Sequence, residues 1–251
     1  MWLFDSPKNY LEMVEKIAKS VFFVTLFALF FISSINQEFG DMLKKLSFGV
    51  EYYILGNIKL NMAIFYIPML AGFTEHAFHI HDKLSTIFKI REKFDRDVII
   101  EMIAIDVLDA DNEKYKENIR EKLEKTSKKE ISQLMGEVFY PYASSTKPTI
   151  DEHYIHMALG SWCWYWIFLD TLFIILITGL VYLLQYWEQY CNLKTLGYCI
   201  TFIVPYYIVL KLLKTAAKNC AVMEVKAILH NHDAKVEIYK TIRNWWDKNA
   251  L

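Results

Sequence analysis

The sequence predicts an all-α integral membrane protein with four transmembrane helices and a helical cytosolic domain, on three observations. Ser161 to Leu184, SWCWYWIFLDTLFIILITGLVYLL, carries Asp170 as its single formal charge, and a run that long and apolar matches the ~20 residues that cross a bilayer's hydrocarbon. Hydrophobic residues make up 54% of the 251, yet charged residues still reach 23%. That combination requires apolar and charged blocks to be segregated along the chain. Finally, no stretch alternates apolar and polar residues long enough to argue for a sheet.

Residues 1–19 read as an amphipathic interfacial helix, with Ser6 as N-cap, Pro7 at the first helical position and Trp2, Leu3 and Phe4 dipping into the membrane surface. Residues 20–75 hold the first two spans. Ser20 to Ile35 is uncharged; Tyr52 to Phe73 is interrupted by Lys59, Asn61 and Pro68, where Lys59 can snorkel and Pro68 is tolerable in a packed membrane helix. A short amphipathic connector, Asn36 to Val50, joins them.

Residues 76–160 form a cytosolic helical domain. Leu84, Ile87 and Ile90 open one apolar stripe, Val98, Ile99, Met102 and Ile103 continue it, and Ile131, Leu134, Met135 and Val138 mark another. Asp111 to Glu130 is nearly all charge, and Glu121 with Lys125 and Glu124 with Lys128 stand four apart in the favourable acid-first order. A linker, Tyr140 to Pro148, leads to Thr149 and Glu152, which read as a capping box. Residues 161–212 carry spans three and four, the latter Leu196 to Leu210 with Pro205 inside it. Residues 213–251 form a C-terminal cytosolic helix that packs on the middle domain.

Trp162, Trp164 and Trp166 crowd one end of the third span and Tyr186, Trp187 and Tyr190 the other, as aromatic belts do at the headgroup layers. Lys16 and Lys19 precede the first span, Lys83, Lys89, Arg91, Lys93 and Arg96 follow the second, and Lys211, Lys214 and Lys218 follow the fourth. The positive-inside rule then places both termini and the middle domain in the cytoplasm, with the protein multi-pass in the inner (plasma) membrane. No cleavable signal peptide is expected, since an amphipathic stretch precedes the first apolar block. The four cysteines lie in or beside the last two apolar blocks without a CxxC pair and read as small apolar fillers.

Asp170, about one helical turn inside the Trp166 belt, should face a neighbouring helix or a water-filled path, for instance paired with Lys211. Lys59 and Asn61 would be the matching intramembrane polar groups, and Pro68 and Pro205 would supply bends. Lys83, Lys89, Arg91, Lys93, Arg96, Lys128 and Lys129 form a cytosolic basic set able to meet the phosphates of lipid, nucleotide or nucleic acid, diluted by Glu92, Asp95 and Asp97. The seven histidines fall in three clusters: His76, His79 and His81; His153 and His156; His230 and His232. They resemble, loosely, the histidine boxes of membrane-bound di-iron desaturases and hydroxylases, which would make the protein a lipid-oxidising enzyme, although HAFHIH, HYIH and HNH lack the adjacent pair of those boxes. There is no P-loop, no GxSxG elbow and no GxGxxG after a strand. No cofactor or catalytic residue is expected.

Two spans, a charged helical insert introduced by IFKIREKFDRDVI, two more spans and a cytosolic tail resemble the small four-span effectors of prokaryotic anti-phage defence, including the Hailong type that is paired with nucleotidyltransferases. The resemblance covers the whole chain as architecture. It implies a homo-oligomeric channel or pore in the lipid bilayer, gated through its cytosolic domain by a nucleotide or single-stranded nucleic acid made by a partner nucleotidyltransferase, that depolarises the cell. A membrane scaffold subunit of a larger complex is the third reading the sequence allows.

Overall fold

Long apolar helices alternate along the chain with short charged ones. The computed structural model describes residues 6–35, 37–46, 51–54, 58–110, 112–143, 149–185 and 193–248, with the backbone only for 35, 46, 51–54, 58–61, 182, 185 and 193–202. Trp2, Leu3, Phe4, Tyr186, Trp187, Tyr190, Cys191 and most of the 140–148 linker lie outside the described residues.

The structure is helical, apart from one described hairpin. Helix α1 runs Tyr10–Ile35 and α2 runs Gln37–Leu46. Strands β1, Glu51–Ile54, and β2, Ile58–Asn61, pair antiparallel with Tyr53 opposite Lys59. Helices α3, Ala63–Phe78, and α4, Ile80–Ile87, follow. Then come α5, Ile90–Phe94, a π-helical turn at Asp95–Ile100, and α6, Glu101–Val107. The remaining helices are α7, Glu113–Lys125; α8, Lys128–Val138; α9, Glu152–Gln185; α10, Leu193–His230; and α11, His232–Lys248.

Several expectations are corrected. The interfacial helix expected over 1–19 is not separate, because its described part merges into α1, which starts at Tyr10. The second span does not begin at Tyr52. Ile58 and Leu60 alternate with Lys59 and Asn61 in a period that suits a strand, and the helix starts only at Ala63. Among the described residues, two helices are long and apolar enough to cross a membrane, Tyr10–Ser34 and Glu152–Val181, with mean hydropathy 2.0 and 1.9. The start of α9 is held by Asp151, whose Oδ1 accepts the His153 N–H at 2.8 Å, so the box expected from Thr149 does not form.

The chain divides into two compact units. The first holds Leu11–His81 and Cys163–Leu213; the second holds Ser6–Tyr10, Asp82–Trp162 and Lys214–Leu251. Helices α9 and α10 contribute to both.

In the first unit, α1 meets α3 closely. A Cβ on Gly72 would lie 3.1 Å from the Ala18 carbonyl oxygen and 3.2 Å from the Phe22 Cβ, so any larger residue would push the two helices apart by a few tenths of an ångström. Helix α9 lies against α1, where Cys163 Sγ sits 4.0 Å from the Met13 carbonyl and the Lys16 ammonium stands 5.3 Å from the Trp164 ring centre. On the other side of α9, the Tyr206 hydroxyl of α10 donates to the Phe168 carbonyl at 2.9 Å.

The second unit has an ordinary aliphatic core. Ile100, Ile103 and Ala104 pack with Ile119, Leu123, Met135 and Val138, and with Ile228, Ile238 and Ile242 from the C-terminal helices. The C-terminal segment is two helices, not one, because the Asn231 side chain accepts the Asp233 and Ala234 N–H groups at 3.1 and 3.2 Å and restarts the chain as α11. Helices α7 and α8 begin on Asn112 and Ser127, whose side-chain oxygens take the N–H of Tyr115 and Glu130.

Candidate functional site

The first unit buries several polar side chains among its apolar ones and exposes many large apolar ones. Phe27, Phe31, Tyr66, Leu70, Phe73, Leu176, Leu180 and Tyr207 are exposed, while Lys16, Ser20, Thr25, Glu75, His81, Asp170 and Thr171 are buried. Helical geometry explains how one apolar sequence does this. On α3, Ile64, Pro68, Ala71 and Glu75 recur every three or four residues on the buried face. On α9 the same spacing aligns Cys163, Ile167, Asp170, Thr171, Ile175 and Thr178. A polar residue placed in either stripe is carried inward.

At the meeting of α3 and α9 these stripes bring Glu75 and Asp170 together, with their carboxyl groups in hydrogen-bonding contact. Glu75 is 1% exposed and Asp170 3%. Glu75 also holds His81. Its Oε2 accepts the His81 backbone N–H at 3.2 Å and its Oε1 meets the imidazole Nδ1. A carboxylate on Nδ1 sets that nitrogen as the donor and leaves Nε2 as the acceptor. The turn that allows this is at His79, which closes α3 in the left-handed conformation, φ 47°, with its own N–H on the Glu75 carbonyl at 2.9 Å.

Around this core the His81 ring lies 5.9 Å from that of Trp166 and 6.1 Å from that of exposed His79. Tyr206 and Thr171 are the hydroxyl neighbours on the Asp170 side. Apart from the contact with Glu75, neither Asp170 oxygen takes a hydrogen from a donor group among the described residues, and the Ser20 and Thr25 hydroxyls are buried without a partner. Buried polar atoms left in this state are rare in native proteins and point to water, an ion or a proton at the site.

The expected site residues fare unevenly. Asp170 does face a neighbouring helix, but it meets Glu75 and not Lys211, which is exposed. Lys59 and Asn61 sit in β2 and not in a membrane helix, and their side chains lie outside the described residues. Pro68 is buried inside α3, and Pro205 is exposed inside α10. The three tryptophans do not form a belt facing outward. Trp166 is buried beside His81, Trp164 carries Lys16, and Trp162 packs edge-on against Phe94 at 4.5 Å.

His76, His79 and His81 belong to the first unit and His153, His156, His230 and His232 to the second. Among the described residues no three His, Cys, Asp or Glu side chains stand where one metal ion could join them. His81 is committed to Glu75, whereas His76, His79, His153, His230 and His232 are exposed and His156 is half-buried. The lipid-oxidising alternative therefore has no metal set among the described residues.

Three of the seven residues of the basic set, Arg91, Arg96 and Lys128, stand in local pairs of the second unit. Arg91 donates to the Tyr140 hydroxyl at 2.9 Å and stands 3.8 Å from Asp95, Arg96 binds Asp97 at 2.5 Å, and Lys128 reaches Glu92 at 4.0 Å in place of Glu124. Lys83, Lys89, Lys93 and Lys129 are exposed. Burial pushes the Asp95 carboxyl up to about 6, with Arg91 opposing, and pushes the Glu224 carboxyl of the same unit up to about 8. Two features of the site escaped the sequence. They are Glu75 and Tyr206; an acid at the end of an apolar stripe was the signal available for Glu75.

The profile of the YmfE protein family matches residues 9–248. The YmfE protein of Escherichia coli (strain K12) is 23% identical over 185 residues, which is 71% of each chain. No solved structure matches.

Proposed function

We propose that this chain, which belongs to the YmfE protein family, is an integral membrane protein that passes ions across the bilayer through the polar interior of its first unit. The observation that carries this reading is that the unit keeps Asp170 and Glu75 inside, among buried apolar side chains, while Phe27, Leu70, Leu180 and Tyr207 stand outside. A water-soluble unit gains by covering such large apolar side chains and leaving the carboxyl groups in water. In hydrocarbon, a carboxyl facing outward is costly, and ionisable groups kept inside a helix bundle mark ion paths.

The topology proposed is four crossings, by α1, α3, α9 and the first half of α10, with the second unit and both termini on the cytoplasmic side of the plasma membrane. Among the described residues, segments of the second unit stand before, between and after the two stretches of the first. A compact body lies on one side of a bilayer, so each stretch crosses an even number of times. The 26 residues of α1 reach about 39 Å, ample for a hydrocarbon layer of about 30 Å. The 16 residues of α3 reach only about 24 Å, so the bilayer thins around that helix. A nucleotide-gated, homo-oligomeric defence effector is a narrower form of the same proposal, supported by layout alone.

The experiment is ion flux from vesicles containing the purified chain, loaded with proton-, potassium- and chloride-sensitive dyes. The reading expects a leak that falls in Asp170→Asn. Vesicles as tight as empty ones under every ion gradient contradict it.

A further inference from the structure

The contact between Glu75 and Asp170 says which ion. Two carboxyl groups in hydrogen-bonding contact need a hydrogen between them, because an ionised carboxylate is an acceptor only. Direct contact also leaves no room for a metal cation, and among the described residues no group of three His, Cys, Asp or Glu side chains is placed to share one. A proton is the one cation that fits.

The neighbours of the pair form an ordered series. His79 is exposed, its ring is 6.1 Å from that of His81, His81 Nδ1 meets Glu75, and Glu75 meets Asp170. Beyond Asp170 stand the Tyr206 and Thr171 hydroxyls. Lys16 on α1, also buried in this unit, has its ammonium over Trp164, six residues from Asp170 along α9.

We propose that the first unit is a proton path in which His79, His81, Glu75 and Asp170 act in that order; the inference rests on the ion-conduction reading above. In one transfer, His81 Nε2 takes up a proton and Nδ1 releases its hydrogen to Glu75. Asp170 gives up the proton of the pair toward Tyr206 and Thr171, and Glu75 passes its own to Asp170. The imidazole resets by exchanging its tautomer. One proton enters and one leaves, and no heavy-atom bond changes.

The test combines infrared spectra and flux on the full chain in phosphatidylcholine–phosphatidylglycerol vesicles. The expected spectrum has a carboxylic C=O band that shifts in D2O and is missing from Asp170→Asn, alongside proton uptake driven by a potassium diffusion potential. Asp170→Asn should cut uptake roughly 100-fold, the low end of what a positioned proton carrier contributes. Asp170→Glu should keep the band, which shows that its loss in the Asn variant is not misfolding. His79→Ala, at an exposed position, should slow uptake while leaving the band in place. Potassium or chloride current without proton uptake or band overturns the relay and leaves ion conduction standing. A band with no flux of any ion overturns both.

Discussion

Glu75 holds His81 twice, by the backbone N–H at 3.2 Å and by the imidazole Nδ1, and both residues are about 1% exposed. Removing one member of such a buried pair strands the other. His81→Ala should destabilise the protein by about 3 kcal/mol. Glu75→Gln keeps an acceptor for the backbone N–H and the imidazole and should lose less than half of that. Thermal unfolding in detergent micelles checks both, and equal losses would mean the pair is not the anchor described.

Glu224 predicts a pH dependence of its own in the second unit. Burial raises its carboxyl from 4.5 to about 8. The unfolded chain ionises near 4.5 and the folded one only near 8, so stability is highest below 4.5, falls as pH rises between the two values, and levels off above 8. Glu224→Gln should flatten this fall and stabilise the protein at pH 8 by around 2 kcal/mol, with no gain at pH 4. Denaturant titrations at the two pH values measure it. Asp95, raised to about 6 by burial, adds a smaller fall of the same sign that Glu224→Gln leaves in place.

Lys122 closes the second unit onto its C-terminal helix. Its ammonium stands 4.2 Å from the Trp246 ring centre and 5.1 Å from that of Trp245, and donates to the Trp246 carbonyl. Lys122→Met keeps the aliphatic stem and loses the charge. The expected cost is about 1–2 kcal/mol, with a change in tryptophan emission. An unaltered spectrum and midpoint would show that the contact carries no energy.

How much of this was legible follows from what each residue needs. Asp170 announced itself as the lone charge in a 24-residue apolar run, because no helix tolerates that charge toward lipid. Its partner did not. Glu75 sits six residues before His81, and only the left-handed turn at His79 brings the two together; no side-chain pattern encodes a positive φ at histidine. The hairpin was missed because its alternation lasts four residues a strand, too short to outweigh the apolar count of the surrounding window. The second-unit core, by contrast, was readable from the helical spacing of Ile99, Ile103, Ile131, Leu134 and Val138. The tryptophans misled, since an indole packs inward on His81 or Lys16 as readily as it seeks a headgroup.

The central claim is that lipid surrounds the apolar exterior of the first unit. Nitroxides attached at Phe27→Cys, Met69→Cys and Leu180→Cys, all more than half exposed, test it in vesicles by relaxation with oxygen and with a water-soluble nickel complex. The account predicts that oxygen dominates at these three sites, whereas the nickel complex dominates at Lys226→Cys and Arg243→Cys in the second unit. Strong relaxation by nickel at Phe27 and Leu180 would place those faces in water and contradict it.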